Sequence, residues 1–469
     1  MRARSFSLLA ALALAGACAP KTKLLPPNGQ LLIHIDTDAP LPAAAGTKLA
    51  PDDPLPLFDR LRLEVYRPGE DAPCPDCTHE FDLDRDLVKS GKASIGITPP
   101  LGVEGYTIRA RLFRGAWIEQ GQPRADATID ATVALPPIGA EGVTHVSIVL
   151  RTEDVAKVIG TRAQPLTPVL GEPGASLVGS WEGARRTRCS GERREGEVCV
   201  PGGAYWMGNP LTRHLDADVG LRIVTLSPFF LDDREVTVRA FREAGVAQYR
   251  DPMQYDVIDG DPGPIIHCTL RLQGGDTDDL PVNCISWERA AAYCEQKGGT
   301  LPTEAQLQYV ASNFGASAFV WGDDVPSCDD ATFGRHPSTI NEVRCPGAWV
   351  EPAGSGGRDR LVIDGSGTIF DLAGNLAEYA RDLWNLQSES CWGTGIRRDP
   401  VCEAPSTAPN TKGEHTVVAG SFLDFGGALA AGRRREAFPF IEAQRQGPGG
   451  GIYAALVTSV GFRCARSGQ

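Results

Sequence analysis

The chain has 469 residues, with 46 Lys and Arg against 59 Asp and Glu and a formal net charge of -13. That length predicts two or three domains with ample chain for a core. The densest basic run is Arg433 to Arg435, so the balance argues against nucleic acid as a partner, because phosphate binding needs a basic face. The triple Arg is read as a surface strand end or as an internal partner for carboxylates.

Residues 1–18 read as an export signal, with Arg2 and Arg4 at the positive start, an apolar run from Phe6 to Leu14, and small residues up to Cys18. The run is too short to span a bilayer as a permanent helix. Two processing routes stay open. Ala15-Gly16-Ala17 fits ordinary cleavage at an A-x-A site, whereas Cys18 after small residues resembles a bacterial lipobox, although Ala15 stands where Leu is usual. The lipoprotein is preferred, with Cys18 lipidated and residues 19–28 as a Pro-rich tether. No Asp follows Cys18, which places the expectation at the cell envelope, as an outer-membrane lipoprotein facing the periplasm or the surface. Thirteen cysteines fit an exported protein, and the twelve besides Cys18 could all pair in an oxidising compartment. Proximity along the chain suggests Cys74–Cys77, Cys189–Cys199, Cys268–Cys284, Cys328–Cys345 and Cys391–Cys402.

Residues 29–152 read as a small all-β sandwich. Leu31-Ile33, Leu61-Leu63-Val65, Tyr106-Ile108-Ala110-Leu112 and Val146-Ile148-Leu150 alternate with polar neighbours, the period of half-buried strands. Cys74-Pro75-Asp76-Cys77 is read as a loop disulfide, since a redox pair wants a helix N-terminus and zinc would need a second pair of ligands. Residues 153–196 show no sustained periodicity and are expected to be a linker.

The rest, residues 197–469, is organised around Phe370 to Trp384, FDLAGNLAEYARDLW. Gly374 and Asn375 suit a backbone with positive φ. Asp371 and Glu378 flank that turn, so two carboxylates and several carbonyls could converge on a hard cation; an ordinary tight turn with solvated acids is the plain alternative. Thr237, Ser286 and Thr303 are read as helix caps, Thr303 paired with the acid that follows it.

Ordered blocks surround this stretch: GGAYWMG (Gly202 to Gly208), LDDREVTVRAF (Leu231 to Phe241), LPVNCISWERAAAYCEQKGGTLPTEAQLQYVA (Leu280 to Ala311), FVWGD (Phe319 to Asp323), AGSF (Ala419 to Phe422) and VGFRCAR (Val460 to Arg466). In this order they resemble the formylglycine-generating-enzyme family, also called the sulfatase-modifying factor family. The resemblance implies an α+β, C-type-lectin-like domain with short strands, a few helices and bound calcium. It implies a disulfide between Cys294 and Cys464, and a calcium site on the Asp371 side chain, the Gly374 and Leu376 carbonyls and Glu378. A second calcium site at Asp329 to Phe333 is poorly matched, because Thr332 stands where Asn is usual.

Oxidising members of that family follow a Gly-Gly-Ser-aromatic block with two cysteines, whose thiolates bind copper(I), a metal that prefers soft sulfur. Here Asp424 and Leu429 hold those two positions, and no cysteine lies between Cys402 and Cys464. Copper is therefore not expected, and Ser421 is left without an obvious task. The seven histidines are scattered without metal-ligand spacing. The expected function is an exported, lipid-anchored binding or scaffold module at the cell envelope, for a protein, peptide or glycan ligand. The alternative is a periplasmic enzyme with altered oxidative or maturation chemistry, using Ser421, Asp424 and the Arg433 to Arg435 run.

Overall fold

The computed structural model describes residues 29–47, 52–208, 220–245, 268–270, 275–335, 344–408, 414–437 and 459–469. The export segment, Cys18 and the tether lie outside the described residues, as do His214, His267 and His336.

Two sheets form from the first 170 residues, and their strands follow the alternation in the sequence. β1 (Gln30–Thr37) buries Leu31, Ile33 and Ile35 and turns Leu32, His34 and Asp36 outward. It lies parallel to β9 (Val143–Leu150) and antiparallel to β4 (Ser94–Ile97), and β11 (Val169–Leu170) pairs with β9 to give the order β11-β9-β1-β4. The second sheet runs β10 (Val158–Ile159), β8 (Ile129–Ala134), β5 (Thr107–Phe113), β2 (Arg60–Tyr66) and β3 (Thr78–Asp82). A small hairpin, β6 (Ile118–Glu119) with β7 (Gln122–Pro123), stands apart. This region is not purely β. Helix α1 (Arg85–Lys89) starts on Asp84, whose carboxylate accepts from the Leu87 N–H, and connects β3 to β4.

Residues 153–196, expected to be a linker, pack onto both sheets. β10 and β11 extend the two sheets, and Val178, Trp181 and Ala184 are buried in the same core. Trp181 donates from Nε1 to Glu153 at 2.9 Å. Two large apolar side chains without a periodic pattern gave no sequence signal, yet their burial holds the segment down. The core also runs past it, taking in Trp206, Leu221 and Ile223. Trp206 donates to the Leu57 carbonyl at 2.7 Å and meets Trp117 edge-on at 4.8 Å.

From residue 197 the chain is built of short strands. β12 (Glu197–Val200), β15 (Phe229–Asp232) and β23 (Ala465–Ser467) make one sheet, and β13 (Gly203–Met207), β14 (Arg222–Leu226) and β19 (Ile396–Arg398) a second. β16 (Arg360–Ile363) and β17 (Gly367–Phe370) form a hairpin. A third sheet has the order β21 (Arg434–Glu436), β20 (His415–Val418), β18 (Ala377–Leu383), β22 (Val460–Gly461). Three helices pack on these: α2 (Val238–Glu243), α3 (Trp287–Gln296) and α4 (Glu304–Ala311).

Thr237 caps α2 by accepting from the Ala240 N–H. Ser286 occupies the cap position of α3 but makes no side-chain cap bond. Thr303 caps α4 within a capping box whose partner is Gln306, not the acid that follows it. Glu304 is instead fully buried against Arg434, with Nε 2.7 Å from Oε1. Six disulfides are present: Cys294–Cys464, which ties α3 to the last strands, and the five neighbouring pairs expected from proximity. Such cross-linking fits an extracellular protein. Among the described residues no helix is long and apolar enough to cross a membrane.

α3 and β20 meet where Trp287 stacks face to face on His415 at 3.5 Å. Burial holds the His415 imidazole below its ordinary 6.5. A histidine depressed in the folded state contributes stability above the unfolded value near 6.5 and loses it as pH falls through the folded value. His415→Phe keeps an aromatic ring against Trp287 and removes the titration. Between pH 7.5 and pH 5 the urea midpoint is expected to fall less for the variant than for the parent chain. Equal falls would show that His415 does not titrate differently in the two states.

Candidate functional site

The turn at residues 371–376 is shaped by two residues in the left-handed region, Asp371 (φ 53°) and Asn375 (φ 65°). Gly374 is not one of them. It is required by close approach, since a Cβ there would stand 2.7 Å from the Thr332 carbonyl oxygen. The positive φ expected at Gly374 falls on Asp371 instead.

Carboxylates from outside the turn hold it. Asp359 accepts from the N–H groups of Leu372, Ala373 and Gly374, each at 2.9 Å. Glu235 accepts from Asn375 Nδ2 at 2.9 Å and from the Leu376 N–H at 3.0 Å. Asp371 accepts from the Gly354 N–H at 2.7 Å. Glu378 binds Arg463, whose Nε lies 2.7 and 2.9 Å from the two carboxylate oxygens. Arg463 also donates to the Phe370 and Asp371 carbonyls at 2.8 and 3.0 Å. All five charged side chains are at most 3% exposed.

Four carboxylates therefore surround one guanidinium out of water. Burial pushes the Asp371 carboxyl up to about 7 and Asp359 to about 6, and it raises Glu235 and Glu378 as well, the last against the pull of Arg463. The donors here are oxygen throughout, the type a hard dication takes, but each carboxylate already accepts from backbone or side-chain N–H groups or from Arg463. Glu235, Asp359 and Arg463 were not among the residues singled out for the turn. Glu235 and Arg463 sit inside the quoted blocks, where a buried charge is the available signal; Asp359 lies in a Gly-Arg-Asp loop that offers none.

The AGSF block packs directly on this turn. Gly420 donates to the Ala373 carbonyl at 3.1 Å and Phe422 to the Asn375 carbonyl at 2.8 Å. The carbonyls of Gly374 and Leu376, which the family resemblance assigns to calcium, are not the ones consumed in this way. Ser421, fully buried, donates from Oγ to Asp424 at 2.6 Å, and its N–H reaches the same oxygen at 2.8 Å. Arg435 lies 3.3 Å from that oxygen and donates onward to Ser459 Oγ at 3.3 Å. Asp424 is thus a turn brace held by an ion pair. Leu429, 1% exposed, is part of an apolar cluster with Phe319, Phe333 and Ala373.

The remaining candidates fall elsewhere. Cys391 and Cys402 are bonded to each other, so all twelve described cysteines are in disulfides. Of the basic run, Arg434 is an internal partner of Glu304 and lies 4.3 Å from the centre of the Trp384 ring. His34 and His145, 111 residues apart, are brought together with ring nitrogens 2.9 Å apart. No group of three metal-ligating side chains occurs among the described residues.

Gly374→Ala is expected to destabilise the chain by about 1–3 kcal/mol, because the added methyl meets backbone that cannot move freely. An unchanged urea midpoint would show that the turn has room.

The sulfatase-modifying factor enzyme 1-like domain model matches residues 184–467, more than half of the chain. The formylglycine-generating enzyme of Thermomonospora curvata is 27% identical over 269 residues, spanning 50% of this chain and 84% of that one. That of Streptomyces coelicolor is 25% identical over 264 residues, spanning 49% and 79%. Among solved structures, PvdO from Pseudomonas aeruginosa is similar over 58% of this chain and 94% of its own, at 20% identity and a TM-score of 0.37. The chain belongs to the sulfatase-modifying factor enzyme 1-like domain family.

Proposed function

We propose that this is an exported protein, anchored by lipid on Cys18, whose family unit serves as a binding or scaffold module at the cell envelope and not as a thiol oxidase. The observation that carries this reading is the state of the two positions where oxidising relatives are expected to hold thiols. Asp424 is a hard carboxylate already occupied by Ser421 and Arg435, and Leu429 is an apolar side chain packed in a core. Neither replaces a thiolate for copper(I), and the described cysteines are all bonded in pairs. Altered chemistry at Asp424 would need a carboxylate free to take a proton; here its oxygen is already engaged by the Ser421 hydroxyl and the Arg435 guanidinium. The twelve paired cysteines support an oxidising compartment, and a protein, peptide or glycan is the ligand class such a module would take.

The chain with its disulfides formed is supplied with copper(I) and a cysteine-containing peptide, and oxygen uptake and peptide mass are followed. No turnover above a copper-only control is expected. Oxygen consumption with a change in peptide mass would overturn the binding reading.

The family unit is proposed to hold a structural calcium ion on Asp371, the Gly374 and Leu376 carbonyls and Glu378. Support comes from the excess of buried negative charge over Arg463, which a dication would offset. Calcium added after chelator treatment is expected to raise the melting temperature. At a hundredfold excess over the dissociation constant the gain is about 2.7 kcal/mol. Identical melting curves with and without calcium would remove the site.

A further inference from the structure

The two N-terminal sheets end side by side, with β3 as the outer strand of one, β4 as the outer strand of the other, and α1 linking them. Between them lies a cavity of about 320 Å³. Its interior is apolar: Ile35, Leu61 and Leu63 come from the sheets, Leu87 from α1 and Ile95 from β4. The lining residues that reach solvent are Glu80, Phe81, Asp82, Lys92 and Ser94, three of them charged.

Size and polarity limit what could enter. An apolar cavity of about 150 Å³ lined by such side chains stays dry and takes up benzene, so one twice as large would accept a chain of roughly ten to twelve carbons. The charges at the surface are unequal in availability. Glu80 accepts from Arg62 Nε at 2.5 Å, and Asp82 lies 2.7 Å from Arg60. Lys92 has no carboxylate partner among the described residues. One unpaired ammonium in a lining whose two acids are already neutralised by Arg60 and Arg62 suits a monoanion.

We propose that this cavity binds the alkyl chain of a medium-chain carboxylate, with the head group paired to Lys92. The site belongs to the part of the chain outside the family match and does not depend on how the family unit is read. Each buried methylene contributes about 0.8 kcal/mol, so affinity should climb steeply with chain length until the cavity is full.

Calorimetry on the full chain, disulfides formed, with dodecanoate below its micellar concentration tests this. One equivalent is expected to bind, with hexanoate and dodecylammonium each at least tenfold weaker. Leu87→Trp fills the cavity and should abolish binding; Lys92→Glu, at an exposed position that leaves folding intact, should weaken it at least tenfold. Melting curves establish that both variants fold. Absence of dodecanoate binding, equal binding of dodecylammonium, or a Lys92→Glu chain that binds like the parent would each overturn the assignment.

Discussion

The family unit is closed by the pair between Arg463 and Glu378. Arg463 precedes β23, and Glu378 lies on the inner strand β18, so this contact joins segments 85 residues apart. Both side chains are buried, and desolvation makes such a pair costly unless every donor is used. Arg463 uses them on Glu378 and on the Phe370 and Asp371 carbonyls, fixing the turn before β18 as well as the strand. Removing either partner would leave a buried charge uncompensated, which costs about 3–5 kcal/mol in comparable cases. The neighbouring disulfide, Cys294–Cys464, fastens the same segment to α3. Covalent and ionic ties thus converge on residues 463 and 464.

Around this anchor the turn and the AGSF block behave as one piece. Backbone bonds from Gly420 and Phe422 run into the turn, and the block is then braced internally by Asp424. The two positions of interest differ in what they do. Position 424 is a polar strut, and position 429 is a packed core side chain. A reactive pair of thiols needs exposure and a polarising environment; a strut and a core side chain need neither.

Local features of this architecture were legible in the sequence. Thr237 and Thr303 announce helices through short-range capping, β1 and β9 announce themselves by alternation, and five disulfides join cysteines that are near neighbours along the chain. What escaped depends on distance. Asp359 reaches the turn from 13 residues before Leu372, Glu235 from 140 before Asn375, and His34 meets His145 across 111 residues. No periodicity encodes which buried acid will face which N–H. The roles of Glu304 and Gln306 were exchanged for a related reason: both fit a capping pattern locally, and only the burial of Arg434 decides that Glu304 turns inward.

The shared core has a consequence for how this protein can be divided. The family match begins at residue 184, but Trp206 belongs to a cluster whose other members lie mainly before that point. A fragment cut there would expose the Trp206 ring with Leu221 and Ile223, an apolar face of the kind that drives association. The evolutionary boundary and the mechanical one are different places in this chain. The N-terminal sheets serve as the lid on one side of the family unit, and the unit as a floor for them, so neither is a passenger on the other.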